Sequence, residues 1–491
     1  DTVKKQSVKD MKKQIKSKKN QIKEIKNNYK AKKYIAPRGV NSIIQPLLSV
    51  KRISLNYDVT KSTILPGYMP KTRFFGIENR MEEPLHWQIA AGKQPGMPLL
   101  APVDKYERTR WLDAAAGNGW ITSDTTFNQQ FQQQYTKTIS GTATIEPFRD
   151  LKIDLTVKSA YTNRYSEIFK KLTDDGPYQH LTPLESGTYS ISDINIFSSF
   201  DKLDTFGINQ VFLQFEENRK IINERLRAEN PYSSNQPYVD PLDSNGKVRD
   251  GYTLGYGPSQ QDVVIPAFLA AYRNKNARTI GLNPFSHIPL PNWNLTYNGL
   301  MKIPFIKKSF KNLTMKHGYT SETQLTQYNT EVRYQGGGTS LNPSAIDTLT
   351  NNYYPYYFIP SVVITENLNP LIGFDFTMVN NVTGRFEVKS SRMLSLGFND
   401  YTLTENAQTT ITVGAGYKVK GFKNEFKFLG LKIKLKNEMN FGCDFSWADN
   451  AVVNHKLGPG LNIYTQGMIK WNIAPKIDYM VNNNLNIISW I

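Results

Sequence analysis

From Leu431 to Trp447 the chain reads LKIKLKNEMNFGCDFSW. Its odd positions, Leu431, Ile433, Leu435, Asn437, Met439, Phe441, Cys443, Phe445 and Trp447, are apolar except at Asn437. The even positions, Lys432, Lys434, Lys436, Glu438, Asn440, Gly442, Asp444 and Ser446, are polar or glycine. Side chains alternate across a strand with period two, so the pattern predicts one long strand between an apolar and a wet environment. Globular strands usually run roughly 5–6 residues, and this stretch is far longer. Tilted by about 45°, it would cross a hydrocarbon core of about 30 Å. The expectation is a membrane-barrel strand.

Composition agrees without deciding. Hydrophobic residues make up 39% of the 491, with 27 Tyr and 25 Phe, below the roughly 45–50% of an average globular chain. A barrel around a wet lumen needs only every second strand residue apolar, and a soluble β-rich protein fits the same numbers. No run approaches the roughly 18–20 apolar residues of a transmembrane helix. DTVKKQSVKD at the start lacks the apolar core of a signal peptide, so an exported chain would be processed or part of something longer. Cys443 is the single cysteine, which rules out an internal disulfide and suits a small hydrophobe on the apolar face.

The net charge of +18 is uneven: residues 1–38 hold 14 Lys/Arg against Asp1, Asp10 and Glu24. Residues 1–40 are expected to form a basic helical or flexible arm, with Val8, Met11, Ile15, Ile22, Ile25 and Tyr29 as a narrow stripe. No nucleic-acid-binding motif accompanies it. Residues 41–491 are expected to form barrel, with large inserts at about 62–130 and 166–290. A hairpin is predicted around Glu146–Asp150. Leu151, Ile153, Leu155 and Val157 share one face of its second strand, and Lys152, Asp154 and Lys158 the other. The inserts should hold helices near Asp104–Ala116, Val211–Leu226 and Asp262–Asn274. Closely spaced strands resume at Trp293, and Ala474-Pro475 should break the last of them. About 11–14 long antiparallel strands result, an all-β fold.

Chemistry for catalysis is missing. His86, His180, His287, His317 and His455 are scattered, with no zinc-type pairing. There is no phosphate-binding loop, no GxSxG and no cysteine nucleophile in a known setting. The chain is expected to be no enzyme and to use no cofactor.

Several blocks resemble the giant outer-membrane translocon of the Bacteroidota type IX secretion system, the SprA/Sov family: Thr63–Gly76 (TILPGYMPKTRFFG), Asn118–Phe127 (NGWITSDTTF), Thr142–Ala160 (TATIEPFRDLKIDLTVKSA), Gly255–Tyr272 (GYGPSQQDVVIPAFLAAY), Ile288–Tyr297 (IPLPNWNLTY) and Asn369–Phe374 (NPLIGF). The similarity is colinear from about Leu47 to Tyr417. It implies the C-terminal fifth of a larger polypeptide forming a barrel of about 36 strands. Such a pore passes folded cargo proteins and opens sideways to a PorV-like shuttle barrel, with a periplasmic plug as a second partner. The barrel would be closed by the rest of the same polypeptide or by a second chain, in outer-membrane lipid and without nucleic acid.

The candidate pore-lining residues are Lys152, Asp154, Lys158, Lys432, Lys434, Lys436, Glu438 and Asp444. The candidate lipid-facing residues are Leu151, Ile153, Leu155, Val157, Leu431, Ile433, Leu435, Phe441 and Phe445. A nutrient-uptake barrel, of porin or energy-coupled type, and a soluble β-rich adhesin or polyanion-binding protein are the rival readings.

Overall fold

The computed structural model describes residues 15–24, 49–71, 92, 94–96, 105–201, 204, 207–241, 246–285, 288–337, 342–419, 425–428, 431–434, 439–457, 462–482 and 485–490. The chain divides into two compact units, Asp1–Lys51 and Arg52–Ile491. In the first, residues 15–24 are helical and exposed, Ile15 and Ile22 among them; Val8, Met11, Ile25 and Tyr29 lie outside the described residues.

The second unit is an all-β antiparallel structure with helical inserts, 55% strand and 18% helix over the chain. Thirteen strands share one sheet. They are β1 (Val50–Ile64), β2 (Phe131–Phe148), β3 (Leu151–Lys171), β4 (Tyr178–Ser192), β5 (Asn292–Tyr297), β6 (Phe310–Thr330), β7 (Tyr357–Phe358), β8 (Ser361–Met378), β9 (Val382–Gly397), β10 (Thr402–Val419), β11 (Met439–Lys456), β12 (Asn462–Asn482) and β13 (Leu485–Trp490). The order is β1-β2-β3-β4-β6-β8-β9-β10-β11-β12-β13, with β5 between β3 and β6 and β7 against β6. Neighbours in space are mostly neighbours in sequence, as in a meander. The connections 149–150, 298–309, 379–381 and 420–438 fall at one end of the strands and 65–130, 172–177, 331–356, 398–401 and 457–461 at the other, while 193–291 leaves the sheet and re-enters it within a lane.

β4 and β5 fill a single lane. β3 pairs with β4 through Ser159–Lys171 and with β5 through Leu151–Thr156. The chain therefore leaves the sheet at Ser192 and re-enters it at Asn292. Side chains patch the break: Lys158 N donates to Ser192 Oγ (3.0 Å) and Ser321 N to Asn292 Oδ1 (2.8 Å). Each replaces a ladder bond that would leave a strand amide without a partner. β4 itself departs from the expectation of an insert beginning at about 166, since Tyr178–Ser192 joins the sheet. HLTPLESGTYS alternates too weakly to declare itself, and its apolar positions include a tyrosine and glycine rather than a run of aliphatics.

The excursions return to pack on one face of the sheet. Helix α1 (Lys105–Gly117) sets Trp111, Leu112 and Ala115 against Phe131, Tyr135, Tyr165 and Phe169. The buried Arg108 lies 3.6 Å over the Tyr165 ring and donates to Gln133 (2.8 Å). Helix α2 (Gln210–Glu229) starts where Asn209 accepts from Phe212 N at 2.7 Å. Its buried positions Phe212, Phe215, Arg219 and Ile222 fall at helical spacing on one side. Helix α3 (Gln261–Tyr272) is apolar all round and almost wholly buried, as a helix packed on every side must be. It crosses α2 with Phe268 edge-on to Phe215 at 6.1 Å. These helices lie within one to three residues of where the sequence pattern put them.

A buried ion pair fastens this collar. Glu366 (β8) and Arg392 (β9) are paired with side chains 3% and 5% exposed. Arg392 also holds the Ser198 carbonyl and hydroxyl, and Glu366 Oε1 accepts from Ser199 (2.8 Å) and Tyr319 (3.0 Å). Removing one partner leaves the other charged and buried, which costs about 3–5 kcal/mol. We therefore expect Arg392→Met to lower sharply the temperature at which protease cuts within 193–291. Arg392→Met combined with Glu366→Leu should recover most of the loss; no recovery would show that the pair does not hold the collar.

Candidate functional site: two opposed faces of one sheet

Directly paired residues of an antiparallel ladder share a face, so the register decides which side chains lie together. Phe374 pairs with Phe386, Phe386 with Val413, Val413 with Phe445 and Phe445 with Ile473. On its other side Phe374 pairs with Met315, Met315 with Tyr297 and Tyr297 with Leu151. One apolar row thus runs across eight strands. Parallel rows adjoin it, for example Val388–Ile411–Trp447–Trp471. Many of these side chains are open: Val413 is 46% exposed, Phe445 42%, Ile473 54% and Trp471 67%. The same face farther along the strands is covered. Val362, Ile364, Leu394, Leu396 and Leu403 are 0% exposed beneath the collar.

The opposite face of this band is polar. The row Thr314–Asp375–Arg385–Gly414–Asp444–Ala474 alternates acids and a base across six strands. Ion pairs lace it: Lys152–Asp154 (2.7 Å), Lys316–Asp375 (2.6 Å), Arg385–Glu387 (2.6 Å), Lys389–Glu387 (3.2 Å) and Lys476–Asp478 (3.2 Å). Thr144 donates to Asp154 at 2.8 Å. At Gly414 the row lacks a side chain, and a Cβ there would come within 2.1 Å of the Asp444 carboxylate. A groove of about 390 Å³ opens at this point, lined by Asn312, Asp375, Thr383, Arg385, Gly414 and Asp444.

The predicted residues divide as follows. Leu151, Ile153, Leu155, Val157, Phe441 and Phe445 lie on the apolar face; Lys152, Asp154, Lys158 and Asp444 lie on the polar one. Cys443 is on the apolar face opposite Ala415 and Pro475. Leu431, Lys432, Ile433 and Lys434 depart from expectation. They pair with Glu425–Phe428 in a separate two-stranded hairpin, and the sheet strand begins only at Met439. The last described pair of β10 with β11 is Val419–Met439, and Leu431–Lys434 take their ladder partners from Glu425–Phe428 instead. Leu435, Lys436, Asn437 and Glu438 lie outside the described residues. Ala474-Pro475 does not break β12 either. The strand runs through both residues, with Ala474 paired to Asp444 and Pro475 to Cys443.

Arg385, Glu387, Lys389, Lys316 and Asp375 join the polar face beyond the candidates, although alternation with Gly384, Phe386 and Val388 places the first three there as surely as it places Asp444. Among the described residues no group of three or more His, Cys, Asp or Glu could hold a metal. Nor is any described helix long and apolar enough to cross a membrane. No protein-family model and no curated protein matches the sequence.

Ion pairs on a wet surface contribute below about 1 kcal/mol each and are screened by salt. Arg385, half-exposed, sits between Asp375, Glu387 and Asp444. Arg385→Gln should therefore lower stability to urea slightly at low salt and negligibly near 0.5 M, where the Debye length is only a few ångström. A loss that ignores salt would mean that this face is not solvated.

Proposed function

We propose that the chain forms part of the wall of a transmembrane β-barrel in a bacterial outer membrane. The observation that carries this reading is the opposition of the two faces over one band of the sheet. On the apolar side the band runs about seven to eleven residues along each strand, as in Leu151–Val157, Phe441–Trp447 and Ile469–Tyr479. A tilted transmembrane strand needs about 9–11. Monomers in water rarely expose an apolar patch beyond a few hundred Å², and this one extends over strand after strand.

The barrel's task is protein export through the type IX translocon. Here the reading rests on the resemblance of the family blocks to the SprA/Sov family. The polar face then lines the pore, and Lys152, Asp154, Lys158 and Asp444, joined by Arg385, Lys389, Asp375 and Glu387, present it with four charges of each sign. A lumen of balanced, hydrated charge gives a passing folded protein no apolar patch to stick to and no single-sign field to trap it. A PorV-like shuttle, a periplasmic plug and the secreted cargo are the partners this reading brings, with the rest of the barrel supplied by the same polypeptide or a second chain.

Phe445 and Ser446 are neighbours on opposite faces, which makes them a matched test. An arginine facing mid-bilayer lipid costs about 2–4 kcal/mol, whereas one facing the lumen costs little. Phe445→Arg should impair heat-modifiable folding in membranes and Ser446→Arg should not. Equal folding of both would sink the membrane reading. Normal surface delivery of cargo in cells lacking the chain would sink the export reading alone.

A further inference from the structure

The link between β5 and β6 lies at the same end of the strands as the turns at 149–150 and 379–381. It holds a 3₁₀ turn at Gly299–Lys302 and the helix α4 (Pro304–Ser309), which runs straight into β6 at Phe310. Pro304 at the first helical position fixes its start. The link is tied to both neighbouring turns. Lys302 pairs with Asp150, Val379 N donates to the Ser309 carbonyl (3.0 Å) and Lys311 donates to Asn381 (2.5 Å). One rim results, and apolar side chains project from it: Phe305 is 76% exposed, Phe148 54%, Val379 53% and Ile303 46%. Among them stand Arg149, Lys302, Lys307, Lys308 and Lys311. Lys307 and Lys308 are exposed and make no ion pair among the described residues.

We propose that this rim is a docking surface for anionic phospholipid, with Phe305 and Ile303 seated among the acyl-chain ends and Lys307 and Lys308 on the headgroup phosphates. The inference rests on the membrane reading above and adds the lipid class and the residues. Two features carry it. The exposed apolar side chains continue the band of the sheet, since Phe310 lies edge-on to Phe376 at 5.4 Å where α4 ends. The charge beside them is of one sign, and a membrane interface is where exposed aromatics and lysines are stable together. In water neither Phe305 nor Ile303 has anything to gain from its exposure.

The test uses the full chain in vesicles of phosphatidylcholine with or without phosphatidylglycerol, with Cys443→Ser and a polarity-sensitive probe on either Phe305→Cys or Phe445→Cys. Lipids brominated near the glycerol should quench the 305 probe, and lipids brominated at mid-chain should quench the 445 probe. Brominated phosphatidylglycerol should quench at 305 more than brominated phosphatidylcholine. Lys307→Gln with Lys308→Gln should reduce that preference by about fivefold per lysine, as should high salt. A quenched 445 probe with a water-exposed 305 probe overturns this inference and leaves the membrane reading standing. A 305 probe shielded from water yet unquenched by either lipid indicates a protein partner and also overturns it. A 445 probe in water overturns both.

Discussion

A β-sheet has two faces, and the alternation that makes one of them polar makes the other apolar along every strand. Here the described residues leave part of the apolar face uncovered. The inserts reach only the half toward the long excursions, where Val362, Ile364, Leu394 and Leu396 vanish beneath α2 and α3. Over the remaining half, Val413, Phe445 and Trp471 stay open among the described residues. Burial of apolar area is worth about 25 cal/mol per Å², so such a face is stable only against something else that excludes water. The collar over one part of the face and the open band over the other both answer to that one imbalance.

The collar meets the sheet through polar groups that a purely apolar interface would avoid. Arg392 and Glu366 lose their hydration on docking and replace it only because Ser198, Ser199 and Tyr319 stand at fixed positions to hydrogen-bond them. Any other seating of the inserts would strand a buried charge. Oily contact alone would tolerate sliding, and a fully satisfied pair does not.

Much of this is legible in the sequence, because period-two and period-3.6 patterns report on the local environment. The hairpin through Glu146–Asp150 and the helices at 210–229 and 261–272 are cases where a strong pattern and its neighbours agree. Partner choice is not local, and there the reading fails. Leu431–Lys434 alternates as well as Phe441–Trp447 does, yet the one pairs with Glu425–Phe428 and the other with β10 and β12, a choice that alternation does not encode. β4 is hidden for another reason: its inward residues include Tyr189, Gly187 and Glu185, and Gly187 is required because a Cβ would come 1.9 Å from the Thr162 carbonyl. Where tight backbone approach replaces apolar bulk, hydropathy is silent. Alternation identifies the polar face, but the pairing of its charges needs the register.

The lane shared by β4 and β5 bears on the order in which the protein assembles. Ser192 and Asn292 sit nearly end to end in the sheet although a whole collar separates them along the chain. During synthesis β3 has only half a partner until the collar has been made, and β6 cannot seat against either half before then. The lane is completed by the most distant contact in its neighbourhood, which makes its closure a late and slow event. Because departure and return points adjoin, the collar's length is invisible to the sheet: the insert can grow or shrink over generations without shifting a single register pair.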